Sequence, residues 1–435
     1  MPKTFIILTL GCKLNFAESS SLATDLECRG LKRVKLIESP DYVIINTCTV
    51  TNQADSKCRQ AISKARRLNP GSEIVITGCY AENEPDAFDD LENVRIVAGN
   101  AEKAFIADWI EKLDDKTGRV VETGGICRKP EFHPSWSGND RTRSFIKIQD
   151  GCDYFCGYCT IPFVRGRSRS STIAQIVPAI RQIAAKGIRE VILTGINIGD
   201  FGRHTGERLV DLLAEIEQLR GIDRVRISSI EPNLIPDELL HFMAKSEKVL
   251  PHLHIPLQSA SDRILGLMKR KYRLGVFTDV VQKVISILPH ACIATDIIVG
   301  YPGETDGDFH EGIDYLNQSP ISYMHVFAFS ERSGTYAVTL CNQVDIHLRK
   351  TRSRELQGLS NRKKYDFISR NIGEKHEVLF ESTNNNGNMY GFTGNYIKVK
   401  TPFDQNLVNK IVPVVISDVT PDMIASAELD VEKAR

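Results

Sequence analysis

The chain has 435 residues, enough for roughly two to four domains of ordinary size. Hydrophobic residues make up 42% and charged residues 25%, proportions that allow a full core and exclude wholesale disorder. Lys and Arg together number 55, as do Asp and Glu, so net charge singles out neither nucleic acid nor a membrane surface. No segment approaches the ~18 unbroken apolar residues of a membrane span. The N-terminal apolar run is too short for a signal peptide and alternates like a strand. The expected setting is therefore cytoplasmic, with no membrane partner. Eleven cysteines in a reducing compartment, an odd number, favour metal or redox chemistry over disulfides.

Residues 1–123 alternate short apolar runs (5–10, 42–46, 74–77, 94–98) with amphipathic stretches (15–28, 55–68). That alternation predicts an open parallel α/β sheet with helices on both faces. Periodicity then fades over 124–140, a segment rich in Gly and Pro that reads as a linker, with Trp136 available to pin it to a neighbour. A second series occupies 141–370. Strands are expected at 144–149, 190–194, 224–229, 252–257, 293–299 and 325–329, with helices at 173–186, 208–219, 236–244 and 276–287. Six β-α units predict a partial (β/α) barrel, whose chemistry belongs at the carboxyl ends of its strands. Pro178 is expected to kink or delay the first helix. The basic run 350–375 reads as a solvated helix face. Residues 371–435 turn to period-2 strands (377–382, 396–401, 410–417) with an Asn-rich turn at 384–388, predicting a small β-barrel.

Two sets of cysteines carry the chemistry. Gly151-Cys152-Asp153-Tyr154-Phe155-Cys156-Gly157-Tyr158-Cys159 follows a predicted barrel strand, and its C-x₃-C-x₂-C spacing lets three thiolates face one centre. A three-thiolate site leaves a metal position open for a ligand. Cys12, Cys48 and Cys79 each follow the end of a separate predicted strand of the first domain, and such ends line one crevice of a parallel sheet. They suggest a second site of the same kind. Cys28, Cys58, Cys127, Cys292 and Cys341 read as structural or incidental.

The barrel motif resembles that of radical S-adenosylmethionine enzymes. With both triplets and the order of the parts, the whole chain resembles the methylthiotransferases: a cluster domain, a radical barrel and a small RNA-binding β module called TRAM. The resemblance implies two [4Fe–4S] clusters, one on Cys152, Cys156 and Cys159 and an auxiliary one on Cys12, Cys48 and Cys79. It also implies S-adenosyl-L-methionine as cofactor, an electron donor of unknown identity, and the tRNA anticodon stem-loop as partner. Tyr158, Gly195, Ser229 and Glu231 match positions that contact S-adenosylmethionine, Ser228 is expected to point away, and 296–304 matches a strand and turn beside its adenine.

Thr9-Leu10-Gly11-Cys12-Lys13-Leu14-Asn15 looks most like the branch acting on N6-threonylcarbamoyladenosine at position 37 of tRNA. The implied reaction methylates a sulfur at the auxiliary cluster, then removes hydrogen from C2 of the base and couples the methylthio group there. An aromatic C–H carries no acidic proton, so acid–base catalysis alone has little purchase on it. Alternatives are an isopentenyladenosine or ribosomal-protein aspartate substrate, and, from another class, an RNA-binding protein with structural zinc. Arg165, Arg167 and Arg169 form with Arg141, Arg143 and Lys147 a local basic excess over Asp150 and Asp153 that suits a phosphate backbone. In the β module, Phe392 or Tyr396 is a candidate to stack on an unpaired base.

Overall fold

The computed structural model describes residues 2–113, 118–124, 131–138 and 142–430. Six strands open the chain: β1 (Thr4–Thr9), β2 (Lys32–Arg33), β3 (Tyr42–Thr47), β4 (Glu73–Gly78), β5 (Val94–Ala98) and β6 (Val120–Glu122). All pair in parallel, in the order β2-β1-β3-β4-β5-β6. Helices α1 (Lys13–Cys28), α2 (Asn52–Leu68), α3 (Cys79–Asn83) and α4 (Ile106–Lys112) connect them. The central strand β3 is buried along its whole length. Its side chains alternate between two cores: Ile44 joins Phe5, Leu26 and Ile96, while Val43 and Ile45 join Ile62 and Ile74. The strand order reverses between β1 and β3, where open sheets of this kind bind ligands.

The second unit is an arc of parallel strands. β7 (Ser135–Trp136) lies antiparallel on the edge of β8 (Arg143–Lys147), and the Trp136 amide donates to Ser21 Oγ of α1 at 2.9 Å. The described part of the presumed linker is thus an edge strand pinned to the first domain; Cys127 and Arg141 lie outside the described residues. β9 (Gln149–Asp150) and β10 (Arg169–Ser170) pair antiparallel and close a long loop that contains α5 (Ile161–Val164). Strands β11 (Glu190–Thr194), β12 (Arg224–Ile227), β13 (His252–His254), β14 (Cys292–Val299) and β15 (Tyr323–Ala328) complete the arc. β8, β11 and β12 form one parallel set, β13 to β15 another, and bridges Val225↔Val249 and Ser229↔His254 join them into an open six-stranded barrel.

Helices α6 (Ile173–Ala185), α7 (Leu209–Glu217), α8 (Asp237–Lys245), α9 (Asp262–Leu267), α10 (Leu274–Ile287) and α11 (Asp306–Gln318) cover the outside. Pro178 does not delay α6. A reciprocal Thr172–Gln175 cap fixes its start, and the buried face of Ile176, Ala179, Ile180 and Ile183 outweighs the lost amide bond. Helix α12 (Ile346–Ser369) is the basic run. Lys350, Arg354 and Arg362 are solvated as expected, but Arg352 is buried and paired to Glu304 and Asp306, both at 2.6 Å.

The chain ends in β16 (Lys375–Phe380), β17 (Asn388–Thr393), β18 (Lys398–Pro402), β19 (Ile411–Val419) and β20 (Ala425–Leu429), closed as β16-β17-β18-β20-β19. This is a TRAM-like five-stranded barrel. β17 and β20 escape the sequence reading, β20 because it is poor in large apolar residues and β17 because a glycine interrupts it. At Gly391 of β17 a Cβ would stand 2.4 Å from Val378 Cγ1, so the strand carries a gap where its alternation would otherwise show.

Candidate functional site

In the first domain the ends of β1, β3 and β4 are neighbours, and they deliver Cys12, Cys48 and Cys79 to one place. Backbone geometry makes the approach possible. Gly11 (φ +96°) and Gly78 (φ +102°) precede two of the cysteines, and Gly151 (φ +70°) does the same for Cys152 in the barrel. A Cβ on Gly11 would lie 2.6 Å from Cys48 Cβ, and one on Gly78 2.5 Å from the Thr47 carbonyl. Asn15 Nδ2 ties two of the ends together by donating to the carbonyls of Leu10 (2.7 Å) and Thr47 (3.0 Å). Asn100 Nδ2 donates to Cys79 Sγ at 3.6 Å. Cys58, read as structural or incidental, is buried beneath Cys48: its thiol donates to the Cys48 carbonyl at 3.3 Å and accepts the Cys48 amide at 3.4 Å.

In the barrel, Cys152, Cys156 and Cys159 sit on one tight loop. The Cys152 amide donates to the Gly166 carbonyl (3.0 Å), the Gly157 amide to Met268 (2.8 Å), and the Cys159 amide to Cys156 (3.0 Å). Phe155 takes a left-handed φ of +49° to turn the chain between thiols. Arg270, which the sequence hid in a Lys-Arg-Lys run, organises this site. Its Nη1 donates to Cys156 Sγ (3.1 Å) and to Tyr158 Oη (3.3 Å), and its Nη2 pairs with Glu231. Tyr158 and Glu231 are thereby gathered at the cluster loop. Gly195 packs on Gln149, whose Oε1 accepts the amides of Ile196 and Asn197, each at 2.9 Å. Glu304, at the end of the segment expected beside the adenine, is committed to Arg352 instead.

In this structure neither cysteine triplet is drawn together around a single small ion. Among the described residues, the set of three metal-ligand atoms within 4.8 Å of one another is His254, Asp296 and His325; neither cysteine triplet closes so far. A tetrahedral zinc, with Zn–S of about 2.3 Å, needs sulfurs about 3.8 Å apart. Three converging but wider-set thiols fit a polynuclear iron–sulfur core. Burial pushes Cys48, Cys152 and Cys159 up to about 12, so the protein alone does not favour their thiolates. A bound metal core would supply the missing positive charge.

The arginines expected to meet phosphate are mostly turned inward. Arg165 is 1% exposed and donates to Asn15 Oδ1 (2.6 Å), Glu18 (3.0 Å) and Asp150 (3.0 Å). Lys147 and Lys103 also bind Glu18, and Arg169 binds Asp150. Burial by itself would raise the Glu18 carboxyl, but the charges of Arg165, Lys103 and Lys147 hold it well below the usual range. Asp150 is held down to about 2, burial again being outweighed by Arg165, Arg169 and Lys147. Only Arg167 of the three projects into solvent, 72% exposed, near Asp153. These groups are a buried seam between the first domain and the barrel. The spacing of the arginines gave no sign of it, because their partners lie in α1 and β9. Arg332 adds a second seam, donating to Asp55 (2.6 Å) and Asn52 (2.8 Å).

A cavity of about 690 Å³ joins the three units. Gly11, Cys12 and Lys13 line it from the first domain, Gly195, Ser228, Ser229, His252, His254 and His325 from the barrel, and Tyr396 from the β module. Ser228 faces it as Ser229 does, with its buried Oγ unpartnered. Tyr396 is not a free platform: it stacks on His252 (4.2 Å) and Phe392 (4.9 Å), with Arg226 over its ring. Arg143 covers Phe392 at 4.5 Å. A second cavity of about 740 Å³, beside Asp153 and Asn233, is lined by no cysteine.

Residues 4–99 match the family model described as uncharacterized protein family UPF0004, and 146–316 match the radical SAM superfamily. The chain is 34% identical to the threonylcarbamoyladenosine tRNA methylthiotransferase MtaB of Bacillus subtilis, covering 94% of this chain and 92% of that one. It is 36% identical to the MtaB of Aquifex aeolicus, covering 94% and 98%. Similarity extends at 32% to a tRNA-2-methylthio-N(6)-dimethylallyladenosine synthase of Pelotomaculum thermopropionicum, covering 95% of each. Among solved structures, the radical S-adenosylmethionine methyltransferase TsrM of Kitasatospora setae shares the fold (TM-score 0.56, 16% identity, 75% of this chain and 73% of that one). Among the described residues no helix is long and apolar enough to cross a membrane. The chain belongs to the radical S-adenosylmethionine methylthiotransferase family, in the branch of the threonylcarbamoyladenosine tRNA enzymes.

Proposed function

We propose that the protein transfers a methylthio group to C2 of N6-threonylcarbamoyladenosine at position 37 of tRNA. The observation that supports this reading is a cavity lined by Cys12 of the first domain and by Gly195 and Ser229 of the barrel, large enough for a base between them. In this reading Cys152, Cys156 and Cys159 hold the radical-generating [4Fe–4S] cluster, and Cys12, Cys48 and Cys79 hold an auxiliary one. When bound, the clusters and S-adenosylmethionine supply the methyl group, the sulfur and the hydrogen-abstracting radical.

The chain's own residues bind and orient. Arg270 steadies the loop at Cys156 and offers the Glu231 carboxylate and Tyr158 ring beside it. Gln149 shapes the turn at Gly195 so that its backbone is open to a cofactor, and Ser229 stands on the same wall. Phe16, Phe145 and Phe327 give the cavity apolar faces for a purine. The anticodon stem-loop is the partner that brings the base, and an electron donor must reach the barrel cluster.

The test is mass spectrometry of tRNA nucleosides from cells lacking this gene. Loss of 2-methylthio-N6-threonylcarbamoyladenosine alone is expected. Loss of the dimethylallyl product instead would keep the chemistry and move the substrate, and an unchanged nucleoside profile would overturn the reading.

A further inference from the structure

One cation on the wall of the cavity beside Cys12 is left unpaired by the protein. The cavity is lined by Lys13, Arg143 and three histidines, of which burial pushes His252 and His325 toward the neutral form, and no carboxylate lines it. Arg143 is already engaged, donating to Glu381 at 2.7 Å and covering Phe392. His254 is engaged with Asp296 at 3.0 Å, and His252 is stacked on Tyr396. Lys13 differs from all of these. Its side chain is exposed into the cavity, and among the described residues its ammonium meets no hydrogen-bond or ion-pair partner. A flexible ammonium on the wall of a concave, protein-lined space, with Arg143 on the same wall, makes a local field that calls for an anion from the ligand.

The chemistry of the proposed substrate says which anion. Threonine joined through a carbamoyl group to N6 of adenine keeps a free carboxylate, whereas a dimethylallyl tail is uncharged hydrocarbon. C2 and C6 flank the same ring nitrogen of a purine, so a base that presents C2 to the thiol site carries its N6 tail along the same edge. The ribose and its phosphates leave from the opposite end of the base. A group next to Cys12 in the chain is therefore within reach of the tail.

We propose that Lys13 binds the threonyl carboxylate of the base in the cavity, with Arg143 behind it, and so selects the threonylcarbamoyl substrate over an uncharged one. This rests on the substrate reading above. Lys13 acts through contact with the substrate and takes no part in the hydrogen abstraction.

The experiment uses the anaerobic holoenzyme with S-adenosylmethionine and two anticodon stem-loops, one carrying the free threonyl acid and one its methyl ester. Binding is read by fluorescence anisotropy, and turnover is read separately. Wild type is expected to bind the acid about tenfold more tightly than the ester, the worth of one charge-assisted contact. Lys13→Gln is expected to bind both alike, at the level of the ester on wild type, and Lys13→Arg to keep most of the preference. Iron content shows whether either variant has disturbed the neighbouring Cys12. Equal binding of acid and ester by wild type would overturn the proposal without any variant. Equal weakening of both ligands in Lys13→Gln would overturn it too, and would reassign Lys13 to a phosphate. A wild type that prefers the acid but forms no methylthio product would sustain Lys13 and sink the substrate reading.

Discussion

The two thiol sites are built in opposite ways. In the barrel, Cys152, Cys156 and Cys159 lie on one loop whose base is clamped by the pairing of β9 with β10, so nearby backbone bonds bring them together. In the sheet, Cys12, Cys48 and Cys79 meet only when β1, β3 and β4 have paired in register, and no short segment could hold them. The local site needs little else, although Arg270 comes from farther along to steady Cys156. The distributed site borrows its support from the other domain. The loop that carries the barrel cysteines continues through Val164, whose carbonyl accepts from Asn100, to Arg165, which binds Asn15 and Glu18. One loop thus builds the first site with its early residues and braces the second with its later ones. The two thiol sites, proposed to act on one base, are tied together by that shared segment.

The comparison can be broken most sharply at the cysteines. Cys156→Ala should reduce S-adenosylmethionine cleavage below detection, measured as 5′-deoxyadenosine by chromatography. Cys48→Ala should abolish the methylthio nucleoside while leaving cleavage measurable; intact product in that variant would remove the auxiliary assignment.

Smaller effects test the borrowed support. Arg165→Leu leaves Glu18 and Asp150 buried with less compensation, and loss of one partner from a buried charge pair costs about 3–5 kcal/mol. Urea unfolding of the purified protein should show it, and iron should be lost from the sheet site before the barrel site. Equal iron loss from both sites would mean that the seam is a general support. Arg167→Leu, on the exposed arm of the same loop, should change stability by no more than about 0.5 kcal/mol.

A pH effect tests the same seam. The Asp150 carboxyl is held at about 2, below its unfolded value of about 3.8. A depressed acid stabilises the fold above its unfolded pKa and loses that contribution as pH falls through its folded one. Asp150→Asn should therefore be less stable than wild type near pH 7, and the gap in urea midpoint should narrow below about pH 4. A constant gap would place the effect in packing.

Much of this architecture could be read in advance because its signals are local. The apolar runs at β1, β3, β4 and β5, the C-x₃-C-x₂-C loop and the Gly-Cys pairs at 11–12 and 78–79 announce both the sheet and the thiols. What stayed hidden depends on partners distant in sequence. Arg165 and Arg169 looked like phosphate ligands until α1 and β9 supplied Glu18 and Asp150. Tyr396 looked like a base-stacking platform until β13 supplied His252. Arg270 carried no signal within its Lys-Arg-Lys run, and only the fold sets it against Cys156. A charged or aromatic side chain carries no local mark of which surface it will meet. Cys58 carries even less, since only the closeness of Cys48 shows what it supports.

The central claim is that two separately built thiol sites each hold an iron–sulfur cluster. The most direct measurement is iron, zinc and acid-labile sulfide per chain in anaerobically prepared wild type, Cys156→Ala and Cys48→Ala. Two [4Fe–4S] clusters predict about eight iron atoms in wild type, about four in each variant, and negligible zinc. Full iron content in Cys48→Ala, or zinc in place of iron in wild type, would contradict the account.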